Sequence, residues 1–353
     1  MKQFWSVLLA LVLLACCAAA LGETADADVD AQVDALMEAE NYEAVIPLLL
    51  PQAEQADADT QLLLANCYYA TNQLEESLKW NLLAAEKGNA NAQNNAGYAY
   101  QNAEGTQENP EEAVRWYRSA AEQGDMYAQV NLGWCYENAY GVESSEDEAV
   151  AWYRKAAEQG FATAQMNMGL SYFVGRGVEV DEEEAFKWFK LSAEQGFAPA
   201  QGWMGECCLQ GIGVQPDAAE AMRWYQLAAD QGDANGQANL GMGYEEGVGV
   251  EADLPKAIEL YQMAVDQGER FGQYRMGLCC LNGVGVTQNA QKGVELFTLS
   301  AEQGFDLAQL ALGDCYAQGV GAPQDLEAAA KWYQLAADQG NADAQQRLDE
   351  MKK

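Results

Sequence analysis

Glycine occupies Gly88, Gly124, Gly160, Gly196, Gly232, Gly268, Gly304 and Gly340, one every 36 residues without a break. A second glycine column runs through Gly105, Gly141, Gly177, Gly213, Gly249, Gly285 and Gly321. Glutamine forms a third, from Gln93 to Gln345, and a fourth reads Trp80, Trp116, Trp152, Trp188, Trp224, Leu260, Leu296, Trp332. No insertion or deletion shifts the register from residue 73 onward. A fixed period of this size admits few folds. Each unit is one supersecondary element that cannot bury its apolar face alone, so the units must stack.

The unit at 109–144 shows what is stacked. Asn109 can cap a helix, Pro110 suits its first turn and Gly124 can end it, which predicts a helix over 110–123. Asp125 is positioned to cap a second helix over 125–138. We call these the WY helix, after Trp116-Tyr117, and the LG helix, after Leu132-Gly133. No alternation of apolar and polar residues suggests a strand. In the WY helix, Ala113, Trp116, Tyr117, Ala120 and Ala121 share one side at 100° per residue. Position 119 is apolar in most units (Leu191, Leu227, Met263, Leu299, Leu335), which widens the expected buried arc. The polar remainder is a strip through positions 111, 115, 118 and 122, expected to line the concave side of the stack.

The pattern A-x-x-W-Y-x-x-A-A-E-Q-G…A-Q…L-G-x-x-Y…G-x-G-V resembles the Sel-one-like repeat, a relative of the tetratricopeptide repeat. The resemblance covers residues 73–353 and implies an all-α, right-handed superhelical solenoid of antiparallel helix pairs, of the bacterial exported type. It divides the chain into a leader at 1–22, an acidic leader and N-terminal cap at 23–41, and a tetratricopeptide-like unit at 42–72. An array at 73–340 follows, in units 73–108, 109–144, 145–180, 181–216, 217–252, 253–288, 289–324 and a partial 325–353. A capping helix at 341–353 ends it. Family members mostly act as adaptors in complexes, which implies a non-catalytic role here.

The first 22 residues, MKQFWSVLLALVLLACCAAALG, have one lysine before a short apolar run and then small residues. This is the layout of a secretory signal peptide, cleaved after Ala20 or Gly22. The stretch Leu13-Leu14-Ala15-Cys16 also resembles a lipobox, which would make Cys16 a lipidated first residue. An uncleaved anchor is a third reading. Each places the protein outside the cytoplasm, periplasmic or secreted, touching membrane only through this end.

Charge and composition narrow the function. The net charge is −35, which repels nucleic acid and anionic membrane surfaces. Histidine is absent, which removes imidazole-based triads and HExxH zinc sites. Asp26 to Asp30 begin like a calcium loop, but Ala31 and Met37 stand where that loop needs Gly and Glu. The glycines of YFVGRGVEVD (172–181) could be taken for a phosphate loop, yet they recur in other units while Arg176 does not, so they are turns. Cys67, Cys135, Cys207, Cys279 and Cys315 share one position that other units fill with Ala99, Ser171 or Gly243, so they read as small buried hydrophobes. Some relatives are cysteine-rich and described as β-lactamases; this chain lacks two cysteines per unit and has no S-x-x-K motif. No metal or cofactor is expected.

Two patterns remain. Eight of the 19 lysines and arginines fall on positions 115 and 118 of the WY helix: Lys79, Arg115, Arg118, Arg154, Lys187, Lys190, Arg223 and Lys331. Arg115, Arg118, Arg154, Lys187, Lys190 and Arg223 form a candidate basic strip for an acidic peptide or other anion. The alternative is intrahelical pairing: Glu111–Arg115, Arg118–Glu122, Arg154–Glu158, Glu183–Lys187 and Lys190–Glu194 are i,i+4. The second pattern is an acidic column of Glu86, Glu122, Glu158, Glu194, Asp230, Asp266, Glu302 and Asp338, in the last turn of the WY helix where the dipole disfavours it. We expect these acids to accept from backbone amides that open the following LG helix. The reading is thus an exported interaction scaffold for another protein or peptide, monomeric or weakly self-associating. A peptide- or glycan-binding module of the cell envelope and a cell-wall hydrolase are the alternatives.

Overall fold

The computed structural model describes residues 27–351 and, among them, contains α-helices, one 3-10 turn and no strand. The signal-peptide segment 1–22 and Cys16 lie outside the described residues. The helices fall into two compact units, one ending at Val180 and one beginning at Asp181. The first holds α1 (Ala27–Glu38), α2 (Tyr42–Leu49), the turn Leu50–Gln52, α3 (Ala58–Ala70), α4 (Leu74–Glu86), α5 (Ala90–Asn102), α6 (Pro110–Glu122), α7 (Met126–Glu137), α8 (Glu146–Glu158) and α9 (Ala162–Val174). The second holds α10 (Glu182–Glu194), α11 (Ala198–Gln210), α12 (Ala218–Asp230), α13 (Ala234–Glu246), α14 (Leu254–Asp266), α15 (Arg270–Asn282), α16 (Ala290–Glu302), α17 (Asp306–Gln318), α18 (Leu326–Asp338) and α19 (Ala342–Met351). From α4 onward, even numbers are WY helices and odd numbers LG helices. Within each unit every helix packs on the next, giving an all-α solenoid of helix pairs.

Caps set the boundaries. Asn109 Oδ1 accepts from the Glu112 amide at 3.1 Å with Pro110 in the first turn, and Asp217 and Asp325 do the same for α12 and α18. The Asp125 carboxylate accepts from Ala128 N–H at 2.7 Å and opens α7. Phe161, Phe197 and Phe305 take this place in three units and supply no side-chain cap. Six LG helices end on a left-handed residue, Gly175, Gly211, Gly247, Gly283, Gly319 or Ala103 with φ 56, and after α7 that residue is Ala139, one beyond the cap, with φ 53. Two residues after Gly175, Gly177, φ 62, lies against the first turn of α8, where a Cβ would come 2.5 Å from the Glu146 carbonyl oxygen. Arg176 beside it pairs with Glu137.

The core repeats as the sequence does. Trp80, Trp116 and Trp152 are buried, and Trp152 packs with Ala113 and Tyr117 of the preceding WY helix. The ring of Tyr153 lies over Gly133, whose Cβ would meet Cε1 at 2.6 Å, so LG glycine makes room for WY tyrosine. The Tyr153 hydroxyl then donates to Glu137 at 2.6 Å. Tyr117–Gln101, Tyr225–Glu206, Tyr261–Glu245 and Tyr333–Asp314 repeat that bond.

The glutamine column is a ladder between units of the repeat. Gln129, buried in α7, donates to the Ala121 carbonyl at the end of α6 at 3.2 Å. Its own Oε1 accepts from Gln159, which caps α8, at 2.8 Å. Gln123 on Gln93, Gln231 on Gln201, Gln267 on Gln237, Gln303 on Gln273 and Gln339 on Gln309 repeat the rung at 2.7–2.9 Å. The last-turn carbonyl of Ala121 also accepts from the Gly124 amide at 3.1 Å, so the buried glutamine adds a second bond there and ties that helix end to the end of the next WY helix.

Both ends are closed by helices. In α1, Val33 and Met37 are buried with Leu64 and Trp80. In α19, Ala344 and Leu348 cover Tyr333, and Arg347 reaches Asp314 at 3.1 Å.

Candidate functional site on the open face of the WY helices

The side of each WY helix opposite its core residues carries the sequence's two candidate columns. The structure leaves none of the six basic-strip residues without a partner. Arg115 pairs with Glu112 at 2.6 Å, and its guanidinium lies over the Trp116 ring at 4.1 Å. Lys187 pairs with Glu184 at 3.0 Å and Arg223 with Glu220 at 3.0 Å. Arg118 donates to the Tyr136 hydroxyl at 2.8 Å and Arg154 to Tyr172 at 3.0 Å, each from WY helix to the following LG helix. Lys190–Glu194, at 3.8 Å, is the one pair in which the expected i,i+4 partners meet. For Arg115, Lys187 and Arg223 the acid sits one residue nearer along the chain, at i−3: first-turn Glu112, Glu184 and Glu220. These exposed pairs contribute little to stability, about 0–1 kcal/mol each.

The acidic column corrects a second expectation. All eight carboxylates are exposed. No backbone amide of the following helix donates to them, because the LG helix brings its own cap three residues later, at Asn89, Asp125, Asp233, Glu269 or Asn341. Asp230, Asp266 and Asp338 instead accept from Gln226, Gln262 and Gln334 at 2.7 Å, neutral partners one turn earlier.

The position expected to widen the buried arc is open. Leu191, Leu227, Met263, Leu299 and Leu335 are 46%, 46%, 41%, 47% and 47% exposed. All five lie in the second unit, one per WY helix, and each has an acid of the column three residues further on. The first unit has Leu83, Ser119 and Lys155 at this place, so the row is not a requirement of the repeat. In the second unit the LG helix α13 also touches α11 and α15 directly.

Between α14 and α16 lies a groove of about 580 Å³. Its walls are Ile258, Met263, Met276, Val286 and Leu296. Leu296 stands in the tryptophan column, so a short aliphatic chain occupies a place that an indole fills in most units. Glu259 and Asp266 stand on one bank and Lys292 on the other, held by Glu295 at 3.5 Å.

The cysteines offer no chemistry. All seven described cysteines are buried free thiols, and burial raises Cys135 and Cys207 to about 12 and Cys279 and Cys315 to about 11. Among the described residues no group of His, Cys, Asp or Glu could hold a metal ion, and no helix is long and apolar enough to cross a membrane.

The Sel1 repeat model matches this chain seven times, at 90–125, 127–161, 162–197, 198–233, 234–269, 271–305 and 306–341. The chain belongs to the Sel1 repeat family. Each Sel1 match runs from an LG helix through the next WY helix, the same period as read from the sequence but in a different phase. Among solved structures the chain is similar to c5321, an SLR-fold protective antigen present in uropathogenic Escherichia coli strains, at 35% identity and TM-score 0.66, over 87% of this chain and 67% of that one. It is also similar to a Sel1 repeat protein from Oxalobacter formigenes, at 31% identity and TM-score 0.60, over 87% and 91%. No curated protein matches it. Sel1-repeat solenoids serve in general as non-catalytic interaction scaffolds, and the stacked helix pairs here are a solenoid of that family.

Proposed function

We propose that the protein is an exported, non-catalytic adaptor that holds another protein along the WY face of residues 181–353. The observation that carries this is the aliphatic row Leu191, Leu227, Met263, Leu299, Leu335. A chain with a net charge of −35 has ample polar residues for an exposed position, yet five successive repeats keep a large apolar side chain there. Export is supported by the N-terminal layout of residues 1–22 and by similarity to a protein described as a protective antigen. The test is site-specific photo-crosslinking in cells from Leu227 and Leu299, with exposed loop residue Glu251 as control. Adducts of one defined mass from both row positions and none from the control are expected. Equal labelling from all three positions, or none from the row, would refute the adaptor. Fractionation of the tagged chain, with lipid labelling of wild type and Cys16→Ala, decides the mode of export; retention in the cytoplasm overturns it.

A further inference from the structure

Resting on that adaptor reading, we infer that the groove between α14 and α16 is a pocket for one bulky apolar side chain of a cationic peptide segment. The repeat breaks here in a way that makes space. Five of the eight units from residue 73 onward carry tryptophan through Trp224 and the column resumes at Trp332, but Leu260 and Leu296 interrupt it. Leu296 and Met276 are the buried part of the groove's lining, at 1% and 4% exposed, and Met263, 41% exposed, is at its open edge. The exposed row continues past it on both sides, through Met263 on its wall and Leu299 beyond.

Charge selects the occupant. Around the groove stand three carboxylates, Glu259, Asp266 and Glu295, against the single ammonium of Lys292. Lys292 is held by Glu295, Asp266 meets only the neutral amide of Gln262, and no described cation pairs with Glu259. An acidic peptide would meet this rim and the −35 chain behind it. A segment with lysine or arginine on either side of a tryptophan, leucine or phenylalanine satisfies both features: the apolar chain enters the groove and the cations reach Glu259 and Asp266. The fit is opposite in sign to the basic strip, whose cations are already paired.

The test restores the residue of the repeat. Leu296→Trp should fill the groove and still fold, because the buried indole N–H groups of Trp80, Trp116, Trp152 and Trp188 are already tolerated without acceptors at this position. The probe is a short fluorescent lysine peptide with one central tryptophan between two leucines, with an all-lysine and a glutamate version as controls. Wild type should bind the tryptophan–lysine peptide, and Leu296→Trp should weaken it about tenfold or more, as for loss of an anchor pocket. Glu259→Lys with Asp266→Lys should weaken it as well. Met263→Ser, at an exposed position, gives a second variant should Leu296→Trp misfold by circular dichroism. Binding that matches the all-lysine peptide and ignores Leu296→Trp would mean general attraction to an acidic surface and overturns the pocket. Self-association abolished by Leu296→Trp, without peptide binding, would give the groove to a second copy and overturns it too. Photo-crosslinks from Leu227 and Leu299 that survive Leu296→Trp would leave the adaptor standing and remove the groove. Peptide binding lost in Leu296→Trp, with no crosslink in cells, would do the reverse.

Discussion

Replacing Gln129 separates the two roles of the glutamine ladder. Its amide nitrogen donates to Ala121 O at 3.2 Å and its oxygen accepts from Gln159 at 2.8 Å, both away from water. Gln129→Leu removes both bonds, each worth about 1 kcal/mol net. The Ala121 carbonyl still accepts from the Gly124 amide at 3.1 Å, so no acceptor at the end of α6 is left bare. Gln159 is near the surface and its amide still reaches Lys155 O at 3.4 Å. Added apolar burial offsets part of the two lost bonds, so a destabilisation of about 1–2 kcal/mol is expected. Gln129→Glu is the sharper variant. An ionised carboxylate still accepts from Gln159 but cannot donate to Ala121, and it sets a negative charge at the negative end of α6. At neutral pH it should be worse than leucine.

The pH dependence gives the sign. Burial and the facing carbonyl raise the folded-state pKa of the introduced Glu above its unfolded value. Its protonated form restores the lost donor. The variant's deficit relative to wild type should therefore be smallest below the unfolded carboxyl range, about pH 4, and grow as pH rises through the raised folded value. Urea titrations of the three proteins from pH 4 to pH 8 measure this, with hydrogen exchange at the ends of α6 and α8 to place the loss, since a repeat array need not unfold in one step. Gln129→Leu within experimental error of wild type, or a Gln129→Glu deficit that does not change with pH, would refute the ladder as an energetic link between units of the repeat.

Other variants test the packing. Ala103→Gly and Ala139→Gly, at φ 56 and 53, should each stabilise by about 0.5–1 kcal/mol by thermal denaturation, because the left-handed conformation is strained for alanine. Gly241→Ala should destabilise by about 1–3 kcal/mol despite alanine's better helix propensity, since its Cβ would lie 2.8 Å from Tyr261; a more stable variant would show that the ring yields freely. The described thiols, raised by burial to about 11–12 where it is strongest, should resist a thiol reagent at pH 8 in the native protein and react after denaturation; fast native labelling of Cys135 or Cys207 would contradict the burial.

Much of this molecule is legible in one chain because the period does the work that an alignment does elsewhere. The helices predicted at 110–123 and 125–138 are α6 and α7 within a residue at each end, since Asn109, Pro110, Gly124 and Asp125 act locally and repeat. Side-chain partners are less legible, because they depend on which of two near-equivalent neighbours is closer. Arg115 chose Glu112 over Glu111, and Arg118 chose a tyrosine on another helix, which a helical wheel does not contain. Exposure at Leu191 and Leu227 was misjudged for a related reason. An apolar residue at the margin of an amphipathic arc belongs to the core only if a neighbour reaches over it, and Leu191 and Leu227, each 46% exposed, are left uncovered.

The acidic column and the aliphatic row lie three residues apart on the same helices, and both are exposed. Asp230, Asp266 and Asp338 sit in the last turn of their helices, where the dipole disfavours them, and their partners are neutral glutamines, so folding gains little from them. The row exposes large apolar side chains, which also contributes little to folding. Two features at fixed repeat positions, each poor for the isolated chain, point to a third body that meets both, apolar where the row is apolar and basic where the column is acidic. The interruption of the tryptophan column at Leu296 lies on the same face and adds depth to it. Where a repeat departs from its own rule at the place its surface is least satisfied, the departure is better explained by binding than by drift.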